Sequence, residues 1–282
     1  MIDITADPAR LDAHRVLDTR TSLNRNGLSR LQHGLDKVMG LGRNHFCLDV
    51  NGKKIGYCYI RKNGCSSFKQ MFLDQSPHGY DPAGQTRPID FIRMNHVMKD
   101  SDFAACDHVV LVYRDPVKRM LSLFRNKFIL CSGADDLLAN YEQVTGTGPL
   151  DASFRSFVMD YLQQPWAALD RHTLPQRYHL RRAVYTDVMP VEKIYDRMIG
   201  VVGQSMADRY FRKPVNRTSD VEHVEINGAD LMPVEALREH YAQRRVLPDD
   251  ASLLGQDLTE ALKDRYQMDF EFIARFEPQS VQ

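Results

Sequence analysis

The sequence predicts an α/β protein: a parallel sheet flanked by helices, in a single domain whose C-terminal half is mostly helical. Three observations predict it. A strand, tight loop and helix follow one another over residues 53–75. The same grammar recurs over residues 108–128. Beyond residue 130, helical periodicity dominates.

Residues 1–44 read as a polar, helical appendage, and residues 45–282 as the domain itself. HFCLDV and KKIGYCYI flank Asn51-Gly52, a pair that favours the type I′ hairpin turn because both positions need φ > 0. The second strand is expected to run to Arg61. The loop KNGCSS follows, then a helix through SFKQMFLDQ. HVVLVYR (108–114) is a continuous apolar run, as in a buried parallel strand. Asp115 stands at an N-cap position with Pro116 at the first helical residue. Val117, Met120, Leu121, Phe124 and Phe128 recur at helical spacing and make one face of that helix core. DASFRSFVMDYLQQ, VEKIYDRMIGVV, PVEALREHYAQRR and DLTEALKDRYQMDF read as helices. The last carries Asp257 and Glu260 in an approximate capping box. CSGADDLLANYEQVTGTGPLD reads as a connecting loop.

Composition narrows the function classes. Lys+Arg and Asp+Glu both number 37, so the net charge is zero, which argues against general nucleic-acid binding and a polybasic membrane anchor. Any anion site is therefore a local cluster. Five cysteines, none in a CxxC pair, fit a reducing compartment better than a disulfide framework or a zinc site. The N-terminus lacks a basic-then-apolar signal pattern, and no apolar run approaches about 18 residues. The expectation is a cytoplasmic protein without a membrane span and without a bound metal.

Two motifs carry chemistry. The first is Arg61-Lys62-Asn63-Gly64-Cys65-Ser66-Ser67-Phe68-Lys69. A glycine admits close backbone approach to an anion, hydroxyls donate, and a helix N-terminus offers N–H groups and a positive dipole end. GxxxxGK[ST] is absent, which counts against a nucleoside-triphosphate kinase. The second is Tyr113-Arg114-Asp115-Pro116-Val117-Lys118-Arg119-Met120-Leu121-Ser122. Arg114 ends a buried strand at the edge where open α/β sheets bind ligands. An arginine fork with the Ser122 hydroxyl suits a terminal phosphate. Each motif alone is also compatible with ordinary strand-to-helix capping.

Together, the two resemble the 5′-phosphosulfate loop and the 3′-phosphate motif of the sulfotransferases. The resemblance is closest to the carbohydrate type (sulfotransferase family 2), which includes the heparan 2-O-sulfotransferase-like and chondroitin-type enzymes. Arg61 stands where that family often has proline. NHVMKDSDF (95–103), HTLPQ (172–176), VNRTS (215–219) and the closing YQMDFEFI resemble further family segments. Similarity runs from about residue 54 to residue 276.

That resemblance implies a P-loop-like fold and transfer of a sulfuryl group from 3′-phosphoadenosine-5′-phosphosulfate (PAPS). The product would be PAP, the acceptor a carbohydrate or glycolipid hydroxyl, and no metal would be needed. Lys62, Asn63, Gly64, Cys65, Ser66, Ser67 and Phe68 are then expected at the 5′-phosphosulfate. Arg114, Ser122 and Arg217 are expected at the 3′-phosphate. Lys62 neutralises charge on the leaving group. His96 is the expected general base, with His172 its competitor and Asp102 a candidate to orient an imidazole. A histidine suits this task because its ordinary pKa, about 6.5, lies near working pH. A P-loop kinase-like phosphotransferase, or a catalytically inactive nucleotide-binding module of polysaccharide biosynthesis, stays open as an alternative. Other features carry two readings each. Lys118, Arg119, Arg125 and Lys127 make either a glycan-attracting cluster or, more simply, a solvated helix face. Trp166 either stacks on a sugar or packs at a helix end. Arg177, Arg181 and Arg182 either meet an anionic acceptor or lie at the surface.

Overall fold

The computed structural model describes residues 44–181, 183–213 and 221–276. The predicted helical appendage therefore lies outside the described residues, except Asn44. In chain order come β1 (His45–Val50), β2 (Lys53–Cys58), α1 (Cys65–Gln75), α2 (Pro88–Asn95), α3 (Asp100–Ala105) and β3 (His108–Tyr113). Next are α4 (Pro116–Phe124), α5 (Asp135–Thr145), β4 (Asp187–Pro190), α6 (Ile194–Val202) and α7 (Gln204–Tyr210). β5 (Glu222–Val224), α8 (Val234–Arg244), β6 (Val246–Pro248), α9 (Gln256–Arg265) and α10 (Gln267–Ile273) follow, with short helical segments, among them Phe154–Ser156 and Asp250–Leu253, between the elements. No helix among the described residues is long and apolar enough to cross a membrane.

The chain divides into two compact units. Among the described residues, the first comprises 44–114, 176–181, 183–213 and 272–276; the second comprises 115–175 and 221–271. The first holds the main sheet, ordered β1-β2-β3-β4. β1 and β2 are antiparallel, joined at Asn51 and Gly52, whose φ angles of 51° and 77° are those the hairpin turn requires. β2, β3 and β4 are parallel. Period-two alternation sends the side chains to opposite faces. Ile55, Tyr57, Val110, Val112 and Met189 pack on one face with residues of α1, α2, α6 and α7. Cys58, Val109, Leu111, Tyr113 and Val188 pack on the other with Leu180, Tyr185, Phe272 and Ile273. The α/β reading is thereby met. β2 ends at Cys58, three residues before the predicted limit.

The second unit has its own core of Met120, Phe124, Phe128, Tyr141, Phe154, Phe157, Tyr161, Leu237, Leu262 and Tyr266, with a small parallel pair, β5-β6. All five residues predicted for the buried face of the 116–128 segment are buried. Three expectations need correction. The 131–152 loop contains a helix, α5, closed by Gly146 at φ 71°. α9 is N-capped by Gly255 without a side-chain cap; Asp257 pairs instead with Arg155 at 2.5 Å. The basic cluster is no solvated face, because Arg119, Arg125 and Lys127 are buried and only Lys118 is exposed. Their charges meet main-chain carbonyls and, for Arg125, a carboxylate: Arg125 donates to Pro248 at 2.8 Å and pairs with Asp250 at 2.7 Å, and Lys127 donates to Ser132 at 2.5 Å and Gly133 at 2.8 Å.

Candidate active site

Because β2 and β3 are parallel, their carboxyl ends share one edge of the sheet. The chain leaves β2 through buried Tyr59 and Ile60, turns through Arg61–Gly64, and enters α1. Gly64 is the N-cap of α1 at φ 71°, a left-handed angle that favours glycine. A Cβ there would also stand 2.5 Å from Ile194 Cδ1, the end of a side chain that would have to shift to admit it. No side chain caps this helix, and its first turn has no acidic residue. The positive end of its dipole is therefore not neutralised from within the helix, which suits an anion.

The side chains of the motif divide by role. Lys62 is buried and holds φ at 71°, a conformation costly for a side-chain-bearing residue. Asn63 is fully buried; its Nδ2 donates to Val112 O at 2.9 Å and Gln176 Oε1 at 2.6 Å. Cys65 and Ser66 are half-buried, and Ser67 is buried. Phe68 belongs to the core: it stacks on Tyr57 at 3.9 Å and meets Phe211 edge-on at 4.8 Å. Its side chain has no exposed surface, so only its main chain can serve a ligand. Arg61 lies over the ring of Tyr59 at 5.5 Å.

Arg114 follows β3 directly. Its main-chain N–H donates to Gln176 Oε1 at 3.0 Å, and its carbonyl accepts from Gln176 Nε2 at 2.8 Å. Its Nη1 donates to the carbonyl of Lys62 at 3.2 Å. The two sequence motifs, which are about fifty residues apart, thus meet in one hydrogen-bonded cluster at the sheet edge. The family model described as "Sulfotransferase family" matches residues 45–273. The chain belongs to the sulfotransferase family. No curated protein and no solved structure gives a match.

Other expected residues of this sulfotransferase belong to other elements. Ser122 lies on α4 in the second unit, half-buried between Leu121 and Leu123. Arg217, and the VNRTS segment around it, fall outside the described residues, as does Arg182. His96 is the C-cap of α2, not a neighbour of the loop. Its Nε2 lies 2.9 Å from the hydroxyl of Ser76, which is the C-cap of α1. Gly64 and Ser76 sit at opposite ends of α1, separated by twelve residues and roughly 18 Å of helix. His96 Nδ1 donates to Cys47 O at 3.1 Å, and the ring packs against Phe72 and His78. Burial pushes its pKa below the ordinary value; the Cys47 bond opposes this and His78 reinforces it.

Asp102 orients no imidazole. Its carboxylate accepts from the Lys99 N–H at 2.6 Å and pairs with Lys54 at 3.2 Å, and these bonds hold its pKa low. Trp166 packs between Tyr266 and Arg265, whose guanidinium lies 3.4 Å from the ring centroid. The packing reading of Trp166 holds. Arg181 donates to Met98 O at 3.3 Å.

His172 has a different environment. Its Nδ1 lies 2.5 Å from Asp170 Oδ1, and its main-chain N–H reaches the same oxygen at 2.8 Å. With Nδ1 donating to Asp170, a neutral ring carries its lone pair on Nε2, the arrangement expected of an oriented base. Arg119, fully buried, fixes this peptide by donating to Leu174 O at 2.9 Å and His172 O at 3.0 Å. Nothing local in the sequence marks Arg119 as a cation that bonds carbonyls 53 and 55 residues away. Gln176 stood in a recognised segment, yet its part in the cluster depends on partners 62 and 113 residues away in sequence. No group of three or more His, Cys, Asp or Glu among the described residues is arranged to hold a metal ion.

Proposed function

We propose that this protein transfers a sulfuryl group from PAPS to a hydroxyl of a carbohydrate-type acceptor, a sugar or glycolipid. The observation that carries the reading is the Lys62–Ser67 loop at the uncapped start of α1, bonded through Asn63 and Arg114 to the end of β3. A left-handed glycine, a helix start without an internal anion and two neighbouring cationic residues, Lys62 and Arg114, suit a phosphosulfate group.

PAPS, when bound, supplies the sulfuryl group and an adenosine bisphosphate leaving group. The main-chain N–H groups of Gly64 and Cys65, with the hydroxyls of Ser66 and Ser67, hold the 5′ side, and Phe68 serves it by anchoring the first turn of α1 in the core. Asn63 acts there by shaping the loop. Arg114 and Ser122, with Arg217 as a second cation, take the 3′-phosphate. Lys62 offsets the charge that develops on the departing oxygen, as in the related phosphoryl transfers. His172 accepts the acceptor's proton at Nε2 while Asp170 steadies the ring. His96 is the weaker candidate, because α1 separates it from the loop.

Isothermal titration with adenosine 3′,5′-bisphosphate, beside Arg114→Ala, tests the donor site. Micromolar binding lost in the variant supports it. No binding by the folded wild-type protein, or a response only to ATP with magnesium, would sink it. For the base, His172→Ala is expected to lower kcat by about 10²–10⁴-fold and remove the acidic limb of the pH profile. An equal loss in His96→Gln, with His172→Ala active, would reverse the assignment.

A further inference from the structure

Gln176 occupies an unusual place. β3 ends at Tyr113, paired with Pro190 of β4, and proline has no N–H to extend the ladder. One residue on, the side-chain amide of Gln176 takes over. Its Oε1 accepts from the Arg114 N–H at 3.0 Å, and its Nε2 donates to the Arg114 carbonyl at 2.8 Å. That is the pairing a neighbouring peptide would provide. The same Oε1 accepts from Asn63 Nδ2 at 2.6 Å, and the second Nδ2 hydrogen goes to Val112 O at 2.9 Å. The amide orientations are mutually enforced, because both Asn63 hydrogens face acceptors and Gln176 Nε2 faces a carbonyl. Gln176 and Asn63 are fully buried, so these bonds lie out of competition with water.

The consequence is geometric. Asn63 belongs to the loop assigned to the 5′ group, and Arg114 to the motif assigned to the 3′-phosphate. We infer that Gln176 is a positioning residue that fixes the spacing between these two anion-holding groups before the donor arrives. This inference rests on the donor reading above. Its ligand class is a nucleotide with anions at both the 5′ and 3′ positions, held as a two-point ligand. A two-point ligand gains from a preset spacing; a nucleotide that engages the loop alone does not.

The test compares adenosine 3′,5′-bisphosphate with adenosine 5′-phosphate by titration on the full chain. Gln176→Met keeps the side chain's length and removes both hydrogen-bonding atoms. Gln176→Leu removes the same two atoms with a shorter side chain and serves as the second variant should Gln176→Met fold poorly. Wild-type protein should prefer the bisphosphate strongly. In either folded variant that preference should fall by at least about tenfold, with adenosine 5′-phosphate affinity changed less than about threefold. A merely structural role would lower the melting temperature and leave the ratio of the two affinities unchanged; an unchanged ratio in a folded variant overturns the inference and leaves the donor reading standing. Wild-type protein that binds neither nucleotide, or shows no preference, overturns both.

Discussion

The guanidinium of Arg114 donates from Nη1 to the carbonyl of Lys62 at 3.2 Å, tying the end of β3 to a left-handed peptide just past the end of β2. Lys62 holds φ at 71°, a conformation that costs a side-chain-bearing residue roughly 1–2 kcal/mol. It persists because its neighbours over-determine it: the Arg114 bond holds its carbonyl, and buried Asn63 anchors the next residue to Val112 and Gln176. Strain of this kind is characteristic of functional loops.

Lys62→Gly separates strain from charge. Glycine adopts this φ freely, but it loosens the unfolded chain, so stability should be unchanged or higher by up to about 1 kcal/mol. Transfer activity should nonetheless drop by about 10²–10³-fold, the scale of losing one stabiliser of developing charge. Denaturant unfolding beside single-turnover kinetics reads both. A variant that keeps full activity would remove Lys62 from the chemistry.

Gly64→Ala should fail in the opposite sense. The left-handed φ costs roughly 1–2 kcal/mol for alanine, and its Cβ would stand 2.5 Å from Ile194 Cδ1. A lower melting temperature and loss of adenosine 3′,5′-bisphosphate binding are both expected. Ile194→Val in the same chain removes that Cδ1 methyl but not the backbone strain, so the two substitutions together should cost less than the sum of their separate losses.

Where a signal was local, the sequence carried it. Asn51-Gly52 demanded its turn, and Asp115 accepts from the Lys118 N–H at 2.9 Å as an N-cap should. The phosphate-type loop was visible because glycine, hydroxyls and a helix start are adjacent in sequence. Other features were not local. α5 has its signals, acidic residues in the first turn and Gly146 at the end, but buries only Leu137 and Tyr141, too few to show a periodic face. β4 is four residues long and ends in proline, so no alternation develops. Buried Arg119 and Arg125 look like surface cations until the carbonyls of Leu174 and Pro248 fold against them. Resemblance drew His96 toward the loop; the length of α1 separates them.

Arg119→Met tests the buried cation. The apolar chain fills similar space, but the carbonyls of His172 and Leu174 lose a charged donor. Destabilisation of about 1–3 kcal/mol is expected from carbonyls left unsatisfied. Because the same arginine steadies the His172 peptide, kcat should fall while the affinity for adenosine 3′,5′-bisphosphate holds. Equal weakening of kcat and nucleotide binding would mean that Arg119 supports the donor site as well.

His96 predicts a pH dependence of stability. Its ring is buried among Phe72, Phe91 and His78, with Nδ1 on the Cys47 carbonyl and Nε2 on Ser76. Burial first, and His78 second, depress its folded pKa below the ordinary 6.5, against the opposing pull of the Cys47 bond. Between that depressed value and about 6.5, the unfolded chain binds the proton and the folded chain does not. The stabilisation is therefore complete above about pH 6.5 and is lost as pH falls through the folded value. Urea unfolding of the wild-type protein should show stability declining from pH 7 toward pH 5, and His96→Gln should flatten that slope. The same variant should keep transfer activity at pH 7.5 within a few-fold, since α1 stands between His96 and the loop. An unchanged slope would show that the ring titrates alike in both states, and a collapse of kcat in a folded variant would return His96 to the chemistry.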